Sequence, residues 1–201
     1  MKWIYWFGWL FFRSVARALF GYRVHDRENL VLEGPVLIAS NHESFLDPPL
    51  VGIVHEREVH YLARKTLFAG FRAWLLPHWN SIPVDQERPD MTSLKTVIKL
   101  LQQGEKVVVF PEGERTWDGK LGSGQPGIGL IVAKTAVTVQ PVRIRGAREA
   151  LPRGSGRLRC VPVSVKVGKP LRFTPEELEI ARGKDGYQKI SDRIMDAIAA
   201  L

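Results

Sequence analysis

A chain of 201 residues that is 45% hydrophobic and 25% charged suits a single globular domain with one substantial core. The balance of 29 Lys+Arg against 21 Asp+Glu gives a net charge of +8 and a pI near 9.8, which points to an anionic partner: a phospholipid surface, nucleic acid or a phosphorylated substrate. A single cysteine, Cys160, excludes an internal disulfide and fits a reducing compartment, while five separated histidines (25, 42, 55, 60 and 78) form no metal-ligand spacing.

The chain opens with an aromatic run, Trp3-Ile4-Tyr5-Trp6-Phe7-Gly8-Trp9-Leu10-Phe11-Phe12, followed by Arg13 and Arg17. As a helix the run reaches about 15 Å, half of the roughly 30 Å of bilayer hydrocarbon, so it does not span. Extending it to Phe20 would place both arginines inside. Trp and Tyr favour headgroup depth, and Lys2, Arg13, Arg17 and Arg23 suit anionic lipid. Residues 1–22 therefore read as an interfacial docking segment on the cytoplasmic face of a membrane, with Trp3, Trp6, Phe7, Trp9, Leu10 and Phe11 as the lipid-facing residues. Residues 23–201 read as the α/β domain. A signal peptide ending at Ala16-Arg17-Ala18 is the weaker reading, because the run is aromatic and two arginines precede the cleavage site. A helix merely packed on the core is the plainer alternative.

After a basic, polar linker (23–33), residues 35–40 form an apolar run that reads as a buried strand. At its C-terminal end stands Asn41-His42-Glu43-Ser44-Phe45-Leu46-Asp47-Pro48, where open α/β sheets place their ligand sites. An imidazole can take a proton from a hydroxyl near neutral pH, and Asp47 would hold the other ring N–H of His42 and fix its tautomer. Residues five apart on a helix point about 140° away from each other, so the pair meets only if the loop folds back before the helix. The alternative is that His42 satisfies a loop backbone group while Asp47 caps a helix with Pro48 at its first position.

Further along, residues 59–62 read as a short strand. Residues 65–79 carry Leu67, Phe68, Phe71, Trp74, Leu75 and Trp79 on one broad apolar face, whose ordinary explanation is core packing and whose alternative is the wall of an acyl-chain tunnel. Residues 80–85 read as a strand. From Asp90, Leu94, Val97, Ile98 and Leu101 follow helical spacing, and Gly104 ends the helix. Residues 106–110 are a buried strand of parallel-sheet type, followed by Pro111-Glu112-Gly113-Glu114-Arg115-Thr116 in the topological place equivalent to the first loop. Residues 130–135 read as helix, and 137–144 and 161–167 as strands. The Gly/Pro-rich connection between those two strands crowds Arg145, Arg148, Arg153, Arg157 and Arg159 into a basic patch. Thr174-Pro175-Glu176-Glu177 is a helix-start signature, and Ile190, Ile194, Ile198 and Leu201 stripe a last helix. The fold expected is a single α/β domain with a central, mostly parallel sheet flanked by helices, plus the aromatic-rich N-terminal helix.

Together the two loops resemble the 1-acylglycerol-3-phosphate (lysophosphatidate) acyltransferases among the glycerolipid acyltransferases. Asn41, His42 and Asp47 match that family's Asn-His-x4-Asp, and residues 110–116 resemble its Phe-Pro-Glu-Gly-Thr-Arg-Ser. Val139-Gln140-Pro141-Val142 resembles a further motif. The likeness covers roughly residues 30–170. It departs at Gln86, where the family carries a phosphate-binding arginine that Arg88 would replace from two positions on, and at Glu114, where the family has threonine.

The resemblance implies transfer of a fatty acyl group from acyl-CoA or acyl-carrier protein to the free hydroxyl of lysophosphatidate, with no cofactor and no metal. His42 would be the base and Asp47 its orienter. Arg115 would fork onto phosphate, with Glu112, Gly113, Asn41 and Arg88 completing the acceptor site. Ser44 would be the nucleophile of a covalent route, but it lacks a Gly-x-Ser-x-Gly elbow. Other acceptors in view are another lysophospholipid, a lyso-aminolipid and glycerol 3-phosphate. A non-catalytic peripheral membrane-binding protein, a hydrolase and a nucleic-acid binder are weaker readings; the last has no recognised motif, and the basic residues are scattered over loops.

Overall fold

Two short apolar runs, Val36–Ser40 and Lys106–Val109, are buried along their whole length, as strands must be when helices cover both faces of a parallel sheet. They pair with each other in parallel at the centre of the domain. A computed structural model describes residues 2–84 and 91–201, so the Gln86 and Arg88 positions lie outside the described residues. The elements in chain order are α1 (Lys2–Phe20), β1 (Arg23–His25), β2 (Val36–Ser40), α2 (Asp47–Gly52), β3 (His60–Arg64), α3 (Phe71–His78) and β4 (Ser81–Val84). There follow α4 (Met91–Gln102), β5 (Lys106–Val109), α5 (Pro126–Thr135), β6 (Thr138–Arg145), α6 (Ala147–Ala150), β7 (Ser164–Val167), α7 (Pro175–Ile180) and α8 (Lys184–Ala199).

The seven strands form one sheet in the order β1-β7-β6-β2-β5-β3-β4. Every pairing is parallel except β6 with β7. This is the α/β architecture expected, with mostly parallel strands and helices on both faces. One core layer joins Ala16 and Phe20 of α1 with Leu50 and Val51 of α2 against Val36 and Ile38. The other packs Val97 of α4, Ile131 of α5 and Ile194 of α8 against Leu37 and Ala39. Period-2 alternation along β2 thus feeds both layers from one strand. The two helices α5 and α8 approach so closely that a Cβ on Gly129 would come within 1.9 Å of the Tyr187 carbonyl oxygen.

The chain leaving β2 passes to β3 on one side, whereas the chain leaving β5 passes to β6 on the other. The C-terminal ends of these two adjacent strands therefore border a crevice at a topological switch point. Both motif loops lie there.

Several local expectations are met closely. Thr174 and Glu177 form a reciprocal capping box at the start of α7. Others are corrected. Residues 23–25, read as linker, form β1 on the sheet edge beside β7, with an exposed–intermediate–exposed pattern that carries no hydrophobic alternation. Residues 65–79 are not core: no residue of α3 is buried, and Phe71 and Trp74 stand 71% and 51% exposed. Asp47 does not cap α2. Leu46 occupies the cap position without a side-chain bond, and Asp47 is the first helical residue, its carboxylate turned back into the preceding loop.

α1 is amphipathic in an uncommon sense, because both of its sides are apolar. Ile4, Tyr5, Ala16 and Phe20 are buried on the domain, while Trp3, Phe7, Leu10 and Phe11, at helical spacing, are each more than half exposed. Trp6 lies between the two sides. Trp9, counted above with the lipid-facing residues, is turned inward, and its indole N–H donates to the His55 carbonyl at 2.9 Å. Among the described residues no helix is long and apolar enough to cross a membrane.

Candidate active site

The loop after β2 folds back on itself, as the His42–Asp47 spacing required. Oδ2 of Asp47 accepts the backbone N–H groups of Glu43 at 2.6 Å and Ser44 at 2.7 Å. The same oxygen lies 2.7 Å from Nδ1 of His42. Because two backbone donors already mark this oxygen as an acceptor, Nδ1 carries the hydrogen of that contact, which in the neutral ring places the lone pair on Nε2. The imidazole stacks on Phe110 from the end of β5, with ring centroids 4.0 Å apart. The ring is thereby fixed from two directions.

The second loop is sewn to the first. Glu112 accepts the His42 backbone N–H through one carboxylate oxygen and the Gly122 N–H through the other, each at 2.8 Å. The Thr116 N–H donates to the His42 carbonyl at 2.9 Å. Burial pushes the Glu112 carboxyl up, against the two backbone bonds that favour its charged form. Gly113 turns the chain at φ +77°, a conformation that favours glycine, and its N–H closes the turn on the Phe110 carbonyl.

Asn41 pegs the end of β2 to its neighbour in the sheet. Its amide NH₂ donates to the Ile144 carbonyl and its oxygen accepts the Ile144 N–H, binding the end of β2 to β6 with the side chain 3% exposed. The residue expected in the acceptor site is thus tied to β6 by a pair of hydrogen bonds. Glu112 likewise spends its oxygens on the two loops and does not bond Arg115. Ser44 is fully buried, and its hydroxyl donates to the Leu151 carbonyl, which removes it as a nucleophile.

His42 and Arg115 both line a cavity of about 330 Å³ whose remaining walls are largely apolar. Gly8 and Phe12 of α1, Leu46 and Ile53 beside α2, Leu62 of β3, and Leu76 and Trp79 of and after α3 contribute to it. The Arg115 guanidinium rests 3.6 Å above the Phe45 ring. Burial is the main influence lowering its pKa, followed by the neighbouring guanidinia of Arg153 and Arg64. Arg64 and Glu114 line the same cavity. Among the described residues no group of three or more His, Cys, Asp or Glu is placed to hold a metal ion.

Phe45, Arg64 and Arg153 escaped the sequence reading as site residues. Phe45 was visible only as an unspecified position between His42 and Asp47. Arg148 and Arg153 were visible only as members of the basic patch, but both turn onto the second loop: Arg148 donates to the Trp117 carbonyl and Arg153 pairs with Glu114.

A mostly parallel α/β sheet thus carries, at the C-terminal ends of its central strands, a His–Asp pair whose histidine shares an apolar cavity with an arginine. The chain belongs to the acyltransferase family, whose model matches residues 21–145. It is 38% identical over 100 residues to a 1-acyl-sn-glycerol-3-phosphate acyltransferase of Bacillus subtilis (strain 168), a match covering 48% of this chain and 49% of that one. It is 32% identical over 141 residues to the chloroplastic 1-acyl-sn-glycerol-3-phosphate acyltransferase LPAT1 of Arabidopsis thaliana, covering 68% and 39%. The chain thus spans about half or less of the length of these relatives. The crystal structure of the 1-acyl-sn-glycerophosphate (LPA) acyltransferase of Thermotoga maritima superposes with a TM-score of 0.73 at 25% identity, covering 96% of this chain and 79% of that one.

Beside the pair, burial first and Asp47 second push the Glu43 carboxyl up from 4.5 to about 7. Between those values the folded chain holds a proton that the unfolded chain has released, so stability falls as pH rises through that window. Glu43→Gln removes this titration. It is expected to raise Tm by about 2–4 °C at pH 8, the effect of ~1 kcal/mol in a chain of this size, and to change it little at pH 4. Thermal unfolding followed by circular dichroism at both pH values checks this, and equal offsets at the two would assign the effect to something other than the carboxyl.

Proposed function

We propose that this protein transfers a fatty acyl group from a thioester donor, acyl-CoA or acyl-carrier protein, to the free hydroxyl of lysophosphatidate, giving phosphatidate at a membrane surface. The observation that carries the reading is His42, held by Asp47 at 2.7 Å, on the wall of an apolar cavity that Arg115 shares. Base, anion-binding fork and hydrocarbon space are the three things this transfer needs. The names of the relatives support lysophosphatidate as the acceptor.

In this mechanism Nε2 of His42 takes the hydroxyl proton as the oxygen attacks the thioester carbonyl carbon. The C–O bond forms, the C–S bond of the resulting tetrahedral species breaks, and the imidazolium returns its proton to the departing thiolate. Asp47 stabilises the imidazolium and holds the ring so that Nε2 faces the reaction. Such general-base assistance contributes typically 10²–10⁴-fold in rate. The thioester leaves readily, so no acyl-enzyme is required, in keeping with the buried and bonded Ser44 hydroxyl. Arg115 offers its fork to the phosphate, and the apolar cavity takes hydrocarbon.

Two of the helices that wall the cavity, α1 and α3, also carry exposed aromatics. Trp3, Phe7 and Phe11 of α1 and Phe71 and Trp74 of α3 give the domain a face suited to headgroup depth. A lipid entering from that face would meet the cavity without crossing water. Removing α1 altogether would unroof the cavity, so the face is better tested by single residues.

Purified protein given oleoyl-CoA or oleoyl-acyl-carrier protein and a panel of lysolipids is expected to acylate lysophosphatidate, read by mass spectrometry. His42→Ala should lower the rate by at least about 10²-fold while the fold is kept. An unchanged rate in His42→Ala would remove the mechanism, and product only with a different lysolipid would replace the acceptor. For the membrane face, a Phe7→Ser/Phe11→Ser/Phe71→Ser variant should pellet with anionic vesicles at least about tenfold less strongly, since each loses its apolar insertion. Pelleting at the native level would move the docking face elsewhere.

A further inference from the structure

Glu114 sits immediately before Arg115 in the chain and on the same cavity, an awkward neighbour for a guanidinium that has to receive an anion. The structure shows where its charge goes. Both terminal nitrogens of Arg153, Nη1 at 3.1 Å and Nη2 at 3.0 Å, bond Oε2 of Glu114. Nη1 of Arg153 also bonds the Arg115 carbonyl oxygen. The Arg153 guanidinium lies 3.7 Å over the Trp117 ring. Its side chain is 15% exposed against 63% for Glu114, so the cation is the anchored partner and the carboxylate follows it. On the other side Arg115 stacks on Phe45 and, among the described residues, takes part in no ion pair.

We propose that Arg153 is a positioning residue: it draws Glu114 away from Arg115 and so keeps the Arg115 guanidinium open to a phosphate-bearing acceptor. This rests on the reading of Arg115 as the phosphate fork. Without Arg153, Glu114 loses its partner on the cavity it shares with Arg115, and its carboxylate competes with the phosphate for the same fork. A charge-assisted hydrogen bond in that position shifts affinity by roughly tenfold. The effect belongs in acceptor binding and not in the chemical step, because among the described residues neither Glu114 nor Arg153 is hydrogen-bonded or ion-paired to His42 or Asp47.

The test is a mutant cycle read as KM for lysophosphatidate and, separately from turnover, as calorimetric Kd for the same lipid. Arg153→Met keeps the stem over Trp117 and removes the charge. It is expected to raise KM and Kd about tenfold with kcat changed by less than about threefold. Adding Glu114→Gln to it should return both to within about threefold of native, and Glu114→Gln alone should resemble native. A double variant as weak as Arg153→Met would overturn the proposal, since it would mean that Arg153 holds the loop or the phosphate itself; so would an Arg153→Met variant that binds normally. If Arg153→Met does not fold, Arg153→Lys, which keeps a charge without the fork, should show a smaller rise that Glu114→Gln removes, and persistence of that rise would overturn the proposal equally. A native protein that binds lysophosphatidate without turning it over would refute the reaction while the affinities still decide the role of Arg153. No binding by the native protein would overturn both.

Discussion

A carboxylate shut away from solvent has to find its hydrogen bonds inside the protein, and Asp47, with no exposed surface, finds three on the loop that precedes it, all on Oδ2, while Oδ1 has no partner among the described residues. Two backbone N–H groups and the His42 ring converge on one of its oxygens. That convergence bends residues 41–46 back over the start of α2 and turns Nδ1 of His42 onto the carboxylate. If the carboxylate were moved, the loop would lose its fold and the imidazole its orientation together. The rest of the site is arranged around this buried charge: Phe110 fixes the ring plane, and Glu112 ties the backbone of His42 to the second loop.

The sheet supplies the setting. Adjacent parallel strands whose outgoing connections diverge leave a crevice at their C-terminal ends, and β2 and β5 bring the two motif loops to its borders. Asn41 pins the end of β2 to β6 through both backbone groups of Ile144, so the loop begins from a fixed point. On one side of that fixed point the helices α1 and α3 enclose apolar space and present aromatic surface outward. Apolar cavity, Arg115 and exposed aromatic surface thus fall to different parts of one small domain.

Much of this was legible in the chain itself. Five-residue spacing between His42 and Asp47 demanded a folded-back loop, the apolar runs at 35–40 and 106–110 demanded a central parallel pair, and Thr174 with Glu177 announced a helix start. What stayed hidden was direction. Apolar residues at helical spacing read equally as core or as surface, so the exposure of Phe71 and Trp74 and the inward turn of Trp9 could not be separated from packing. Asn41 and Glu112 carried polar side chains in motif positions, which suggested ligand contacts, but backbone groups of distant elements claimed them. Arg153 lay in a Gly/Pro-rich connection whose path no periodicity describes, and only the tertiary fold brought it to Glu114.

The ring nitrogens of His42 offer the sharpest view of this arrangement. Nitrogen-15 spectra of histidine-labelled protein, with the His42 signals identified by their loss in His42→Ala, report which nitrogen is protonated in the neutral ring. A hydrogen on Nδ1 with a bare Nε2 is the result expected from a ring donating to Asp47. A hydrogen on Nε2, or equal populations of the two tautomers, would mean that the buried carboxylate does not orient the base.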